Sequence, residues 1–80
     1  MSKVYVDVVA HFDIQGNVTP VAIVWKDGRE FIIDKILDRR RAASLKAGGC
    51  GTRYTCQIHS QPRFLFYDDR EGKWFVEGKE

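Results

Sequence analysis

The chain has 80 residues, of which 44% are apolar and 30% are charged, and its formal net charge is +2. A chain of this length forms one small core, so we expect a single domain over residues 1–80. No apolar run approaches the roughly 20 residues of a membrane-spanning helix, which argues against a membrane partner.

The cysteines and the N-terminus predict a cytoplasmic protein. Cys50 and Cys56 are the two cysteines, whereas a secreted domain this small usually carries four or more. Asp7 interrupts the N-terminal apolar residues too early for the apolar region of a signal peptide. We therefore expect both thiols to stay reduced.

The N-terminal part of the chain predicts two strands joined by a turn. Residues 4–11 alternate with period two, as a half-buried strand does. Residues 13–17 contain turn formers, and a second strand follows over 18–25, with one apolar set on a common face: Val21, Ile23 and Trp25. Pro20 lacks a backbone N–H, which indicates an edge position or an unpaired site.

Asp27-Gly28 gives the clearest prediction of a turn in the sequence. It lies between two alternating apolar runs, and this dipeptide favours a two-residue hairpin turn because both residues tolerate positive φ. A third strand then carries Phe31 and Ile33. Ile36 breaks the alternation, which predicts a bulge near 34–35.

The segment 38–47 allows two interpretations. Asp38 could cap a short helix that Gly48 ends, but three arginines would then lie at the positive end of the helix dipole. Alternatively, the third strand continues to about Leu45 and turns over 46–51. The dipole argument favours the extended hairpin.

The remainder of the chain predicts three more short strands. The fourth covers 52–60, the chain turns at 61–63, and the fifth covers 64–67, where apolar residues on both faces indicate a well-covered position. A hairpin loop over 68–73 leads to the last strand, 74–77. The apolar phases of these strands predict the buried core: Ile23, Trp25, Phe31, Ile33, Tyr54, Ile58, Phe66 and Val76.

These elements describe an all-β fold, either a small SH3-like barrel or a strongly bent five- to six-stranded antiparallel meander. One pattern spans residues 25–76: Trp25-x-x-Gly28-Arg29-x-Phe31-x-Ile33, then Gly49-x-Gly51-x-Arg53-Tyr54, then Leu65 and Trp74-Phe75-Val76. It resembles a group of small bacterial SH3-like β-barrel proteins of about this length. The resemblance implies a compact β-barrel and brings no catalytic or binding residues with it.

The concentration of positive charge suggests a nucleic-acid partner, either RNA or single-stranded DNA. Residues 35–53 hold six cations and one acid, a local charge of 6 − 1 = +5 on a chain of +2. Arginines can neutralise phosphates while aromatic rings stack on bases. The candidate binding residues are Arg39, Arg40, Arg41, Lys46, Arg53 and Arg63. The alternative is a solvated loop whose charges prevent edge-to-edge strand pairing.

The aromatic residues suggest a second function, a protein-interaction or self-associating module. Ten aromatics exceed what one small core accommodates beside the aliphatic residues, and a contiguous exposed patch would mark an interface. The candidate interface residues are Tyr5, Tyr67, Trp74 and Phe75. Alternatively, these rings cover the open ends of a barrel.

Metal binding and enzyme chemistry have little support in the sequence. Cys56 and His59 would face opposite sides of one strand, His11 lies far away, and C-x5-C is an uncommon zinc spacing. Cys50, between glycines and near arginines, would be an oxidisable thiol or a small turn residue. Gly48 to Gly51 lacks the Lys-Ser/Thr of a phosphate loop. We expect no cofactor, no metal and no catalytic residue.

Overall fold

A computed structural model of the chain describes residues 3–43 and 50–78. Seven β-strands make up this part of the protein, and they confirm the all-β prediction. In chain order they are β1 (Lys3–Phe12), β2 (Val18–Val24), β3 (Glu30–Ile32), β4 (Lys35–Ala43), β5 (Cys50–Ile58), β6 (Gln61–Asp68) and β7 (Lys73–Glu77).

All seven strands belong to one antiparallel sheet whose order is β3-β2-β1-β7-β6-β5-β4. β3 and β4 are consecutive in the chain but lie at opposite edges of the sheet. The Ile33 N–H donates to the Val21 carbonyl beside β3, at 2.9 Å, and the Asp34 N–H donates to the Gln57 carbonyl beside β4, at 2.8 Å. The sheet is therefore curled, and residues 33–34 connect its two edges.

The predicted third strand is divided at residues 33–34, so the sheet has seven strands instead of five or six. The chain leaves β3 at Ile32 and enters β4 at Lys35. The bulge predicted near 34–35 lies slightly later, where the register with β5 shifts between Ile36 and Asp38. A strand that must cross from one sheet edge to the other breaks at the crossing, and the bulge bends the strand that follows.

The segment 38–43 is extended, as the helix-dipole argument predicted, and it forms most of the edge strand β4. The helical alternative is wrong for these residues. The predicted continuation to Leu45 and most of the turn over 46–51 lie outside the described residues. An arginine-rich edge strand resists pairing with other chains, because charged side chains flank its unpaired backbone groups over residues 38–41.

The turn at Asp27-Gly28 forms, but it contains three residues. Gly28 has φ of 90°, as predicted, whereas Asp27 does not take positive φ. The Gly28 N–H donates to the Trp25 carbonyl at 2.9 Å, and the Trp25 N–H donates to the Arg29 carbonyl at 2.8 Å. This pattern is a type I turn closed by a glycine in the left-handed region.

The turn predicted at 61–63 is wrong. These residues already belong to β6, where Gln61 pairs with Ile58 and Pro62 pairs with Gln57. The chain reverses one step earlier, at His59 and Ser60, whose φ values are 52° and 63°. Neither residue is glycine, so the sequence carried no strong turn signal at this point.

We name the two sides of the sheet by their burial. The core face carries the buried cluster, whose largest fully buried members include Tyr54, Leu65 and Cys56. The opposite side is the outer face. The Tyr54 hydroxyl donates to the Val18 carbonyl across the interior, which joins β5 to β2. Burial raises the pKa of Tyr54 above its usual value.

The predicted core is largely confirmed. Five of its eight members are buried, namely Ile23, Ile33, Tyr54, Ile58 and Phe66, and three are half-buried, namely Trp25, Phe31 and Val76. Phe66 lies on the outer face, since it pairs with Arg53 instead of Tyr54. Val21 was predicted to share a face with Ile23, but a register shift at this position turns it outward and leaves it exposed.

Candidate nucleic-acid interface

A groove of about 900 Å³ opens at the end of the sheet where β2, β5 and β7 terminate. Its floor is apolar and includes Ile23, Ile58 and Val76. Its walls bring together three ring-bearing side chains and two arginines, namely Trp25, Phe31, His59, Arg29 and Arg63, and Phe64 lines it where it meets the outer face. Hydrophobic lining with a few convergent polar groups is typical of a binding site.

Two neighbouring hairpins position these side chains. The β2–β3 turn holds Trp25 and Arg29 on either side of Gly28, and Phe31 follows in β3. The β5–β6 turn presents His59, whose ring meets Phe31 edge-on with centroids 6.2 Å apart. Both turns lie at the same end of the curled sheet, so segments far apart in sequence form one groove.

The two arginines differ in how much of their charge is already neutralised. The Arg29 Nε is 2.7 Å from a carboxylate oxygen of Asp27, and the guanidinium lies over the Phe31 ring at 5.4 Å. Arg63 donates to the Gln61 side-chain oxygen at 2.6 Å and to the Pro62 carbonyl at 3.1 Å. Within the described part of the chain, no carboxylate forms a salt bridge with Arg63.

One acid also lines the groove. Glu77, at the end of β7, lines the groove beside Val76 and Gly78. Of the two arginines, Arg29 is paired with Asp27, whereas Arg63 has no salt bridge in the described residues. An anionic group that enters the groove would meet Arg63 as its strongest cationic partner.

The structure divides the predicted arginine cluster between the two faces of the sheet. Arg39 and Arg41 lie on the core face, because they pair with Tyr54 and Thr52, whereas Arg40 pairs with Arg53 on the outer face. Arg63 is in the groove. Lys46 lies outside the described residues. Side chains alternate along a strand, so consecutive arginines cannot form one stripe.

Most of these arginines already have a partner. Arg40 donates to Asp38 at 2.8 Å, and this hydrogen bond lowers the pKa of the Asp38 carboxyl. Arg41 forms a salt bridge with Asp69 in the β6–β7 loop. Arg39 lies over the Tyr54 ring at 5.8 Å. The Arg53 guanidinium lies over the Phe64 ring, at 4.6 Å from its centre.

The four predicted interface aromatics differ in exposure. Tyr5 is exposed, Tyr67 is half-buried, and Trp74 and Phe75 are buried. Phe75 stacks on Phe66 with centroids 5.0 Å apart, and Tyr5 packs edge-on against Phe75 at 6.1 Å. Tyr5 is thus the accessible end of a small aromatic cluster on the outer face.

The candidate thiol and metal residues are scattered. Cys56 is fully buried, and burial raises the pKa of its thiol to about 11. The Cys50 side chain lies outside the described part of the structure. His11 lies in β1 and His59 in the β5–β6 turn. Within residues 3–43 and 50–78, no group of three or more His, Cys, Asp or Glu side chains is arranged to hold a metal ion.

Sequence reasoning missed the groove itself. Trp25 and Phe31 were assigned to the core, Arg29 was given no binding role, and His59 was considered only as a metal ligand. One signal was available, because Trp25, Arg29 and Phe31 flank a single tight turn. Aromatic and cationic side chains at the base of a turn are held close together at the end of a sheet.

Comparisons with known proteins identify no relative. No protein-family model, curated protein sequence or solved structure matches this chain. In the described residues, no helix has the length and apolar character needed to cross a membrane. A functional assignment therefore depends on the groove and on the charges around it.

Proposed function

We propose that this protein is a non-enzymatic module that binds single-stranded nucleic acid, RNA or DNA, in the groove. The observation that carries the proposal is the convergence of Trp25, Phe31 and Arg63 in one open groove, with Phe64 on the side of the groove that meets the outer face. Aromatic rings stack on bases of any sequence, and a guanidinium binds phosphate or stacks on a base.

Two features of the groove support single-strand binding. Trp25 and Phe31 are half-buried, so their rings are fixed by packing while part of each surface stays open. Each stacked base contributes about 1–3 kcal/mol in proteins that bind this way. Arg63 lacks a carboxylate partner in the described residues, so a phosphate would not have to displace an acid.

Fluorescence anisotropy with a labelled single-stranded 12-mer tests the proposal, with RNA and DNA as separate arms. Arg63→Ala should weaken binding about 5- to 20-fold at roughly 50 mM salt, since it removes one phosphate contact. Arg70→Ala is the matched control. It makes the same charge change on an exposed arginine of the β6–β7 loop, at the opposite end of β6.

Salt dependence gives a second criterion. The slope of log affinity against log salt should be about −0.7 for each phosphate neutralised on a single strand. Arg63→Ala should therefore reduce the slope by about 0.7. Equal losses for Arg63→Ala and Arg70→Ala would contradict a groove-centred site, and no binding at micromolar protein would refute the nucleic-acid proposal.

A second candidate function, self-association, is supported by an apolar patch on the outer face of β1, β2 and β3. Val9, Ala22 and Ile32 are direct cross-strand neighbours, with Val21 beside them at the register shift. Val9 is 50% exposed, Val21 43% and Ile32 57%, and Ala22 is buried between Val9 and Ile32. Contiguous exposed apolar side chains mark interaction surfaces.

Size-exclusion chromatography with light scattering tests this candidate. A dimer of the wild-type chain that Ile32→Glu converts to monomer would support self-association through the patch. Leu37→Glu is the matched control, because Leu37 is 47% exposed but lies on β4. A wild-type monomer at about 100 μM, a concentration far above ordinary dimer affinities, would contradict it.

A further inference from the structure

Arg40 and Arg53 face each other directly across β4 and β5 on the outer face. Like charges at directly opposed positions of an antiparallel pair destabilise the sheet. Asp38 neutralises part of this charge through its 2.8 Å bond to Arg40. Arg53 has no salt bridge within the described residues, and its buried Nε has no hydrogen-bond partner there. The pair therefore carries an excess of positive charge.

This arginine pair is continuous with the groove through one ring. Phe64 lines the groove and is 48% exposed, and the Arg53 guanidinium lies over it at 4.6 Å. Phe64 is on β6, Arg53 on β5 and Arg40 on β4. Because neighbouring strands are about 4.8 Å apart, the row from Phe64 to Arg40 extends roughly 10 Å from the groove.

We propose that this row, Phe64–Arg53–Arg40, is a second contact site for the same single strand, and this inference rests on the proposed function. A nucleic-acid strand anchored in the groove would leave the groove over Phe64 and cross β6, β5 and β4 on the outer face. Its phosphates would lie against Arg53 and Arg40 and relieve their repulsion. Binding therefore depends on oligonucleotide length, since a short strand fills the groove alone.

Arg39 and Arg41 are excluded from this path by geometry. Both lie on the core face, with Arg39 over the Tyr54 ring and Arg41 paired with Asp69 in the β6–β7 loop. A strand that crosses the outer face does not reach them. Of the three arginines of β4, Arg40 should therefore contribute to binding, whereas its neighbours Arg39 and Arg41 should not.

Two single substitutions at adjacent positions test the inference. Arg40→Ala and Arg41→Ala each remove an exposed arginine that is paired with an aspartate, so they match in charge and in the partner left behind. Anisotropy is measured with oligothymidylates of about 4 and 12 nucleotides, and with oligouridylates of the same lengths, across a salt series.

The proposal predicts that Arg40→Ala weakens binding of the 12-mer about 3- to 10-fold, reduces its salt slope by about 0.7, and leaves the 4-mer unaffected. Arg41→Ala should change neither oligonucleotide. Equal effects of the two variants on the 12-mer would overturn the outer-face path while leaving groove binding in place. Failure of both oligonucleotides to bind the wild-type protein would overturn the proposed function, and this inference with it.

Discussion

The hydrogen bond from the Tyr54 hydroxyl to the Val18 carbonyl gives the most specific test of the fold. Tyr54 is 1% exposed, and its bond joins β5 to β2 across the interior. These strands are not neighbours in the sheet order. Tyr54→Phe removes one oxygen atom, and with it this bond, and leaves the ring in its contacts with Trp74.

The expected loss of unfolding free energy is about 1–2 kcal/mol. A buried hydrogen bond contributes about 1 kcal/mol net, and a buried carbonyl that loses a donor adds to the cost. An 80-residue domain has a total stability of roughly 4–12 kcal/mol, so the variant should still fold. The melting temperature should fall by about 4–8 °C for each kcal/mol.

Thermal and urea unfolding followed by circular dichroism would measure this loss. Tyr5→Phe is the matched control, because Tyr5 is 47% exposed on the outer face and the same atom is removed. Its effect should stay within about 0.5 kcal/mol. If both variants lose equally little stability, the bond across the interior does not stabilise the curled sheet.

Three further predictions follow from burial and local geometry. Gly51→Ala should destabilise by about 1–3 kcal/mol in urea unfolding, since its Cβ would lie 2.2 Å from a carbonyl oxygen of β6; an unchanged midpoint would contradict this contact. In a Cys50→Ala background at about pH 8, a thiol reagent should label Cys56 only on unfolding, because burial raises its pKa to about 11; rapid labelling of folded protein would contradict the burial. The Arg29 backbone N–H lowers the pKa of Asp27 below 3.8, so its stabilising effect is present above that pH and lost below it. The melting temperatures of wild type and Asp27→Asn should accordingly converge on acidification, and a constant difference would refute the effect.

The sequence predicted correctly those parts of the fold that are determined by residues adjacent in the chain. Gly28 has the positive φ that the Asp-Gly pair predicted, because that preference depends on the absence of a Cβ. Segment 38–43 is extended, in agreement with the unfavourable helix dipole. By contrast, His59 and Ser60 turn the chain without glycine, because the pairing of β5 with β6 imposes the conformation.

The candidate site was less predictable because it depends on how the sheet curls. Trp25 and Phe31 follow the apolar phase of core residues, yet they lie at the end of the sheet where the core opens. The division of Arg40 from Arg41 could have been predicted from strand alternation alone. The position of Arg53 over Phe64 depends on the register between β5 and β6, which the sequence does not specify.

The central claim is that the groove binds single-stranded nucleic acid, and the two tryptophans provide its most direct test. Trp25 lines the groove, whereas Trp74 is buried in the core and does not. Each indole N–H gives one signal in a ¹⁵N-correlated NMR spectrum, and Trp25→Phe assigns them. On titration with a single-stranded 12-mer, the Trp25 signal should shift saturably while the Trp74 signal stays in place. An unshifted Trp25 signal at saturating oligonucleotide would contradict the account.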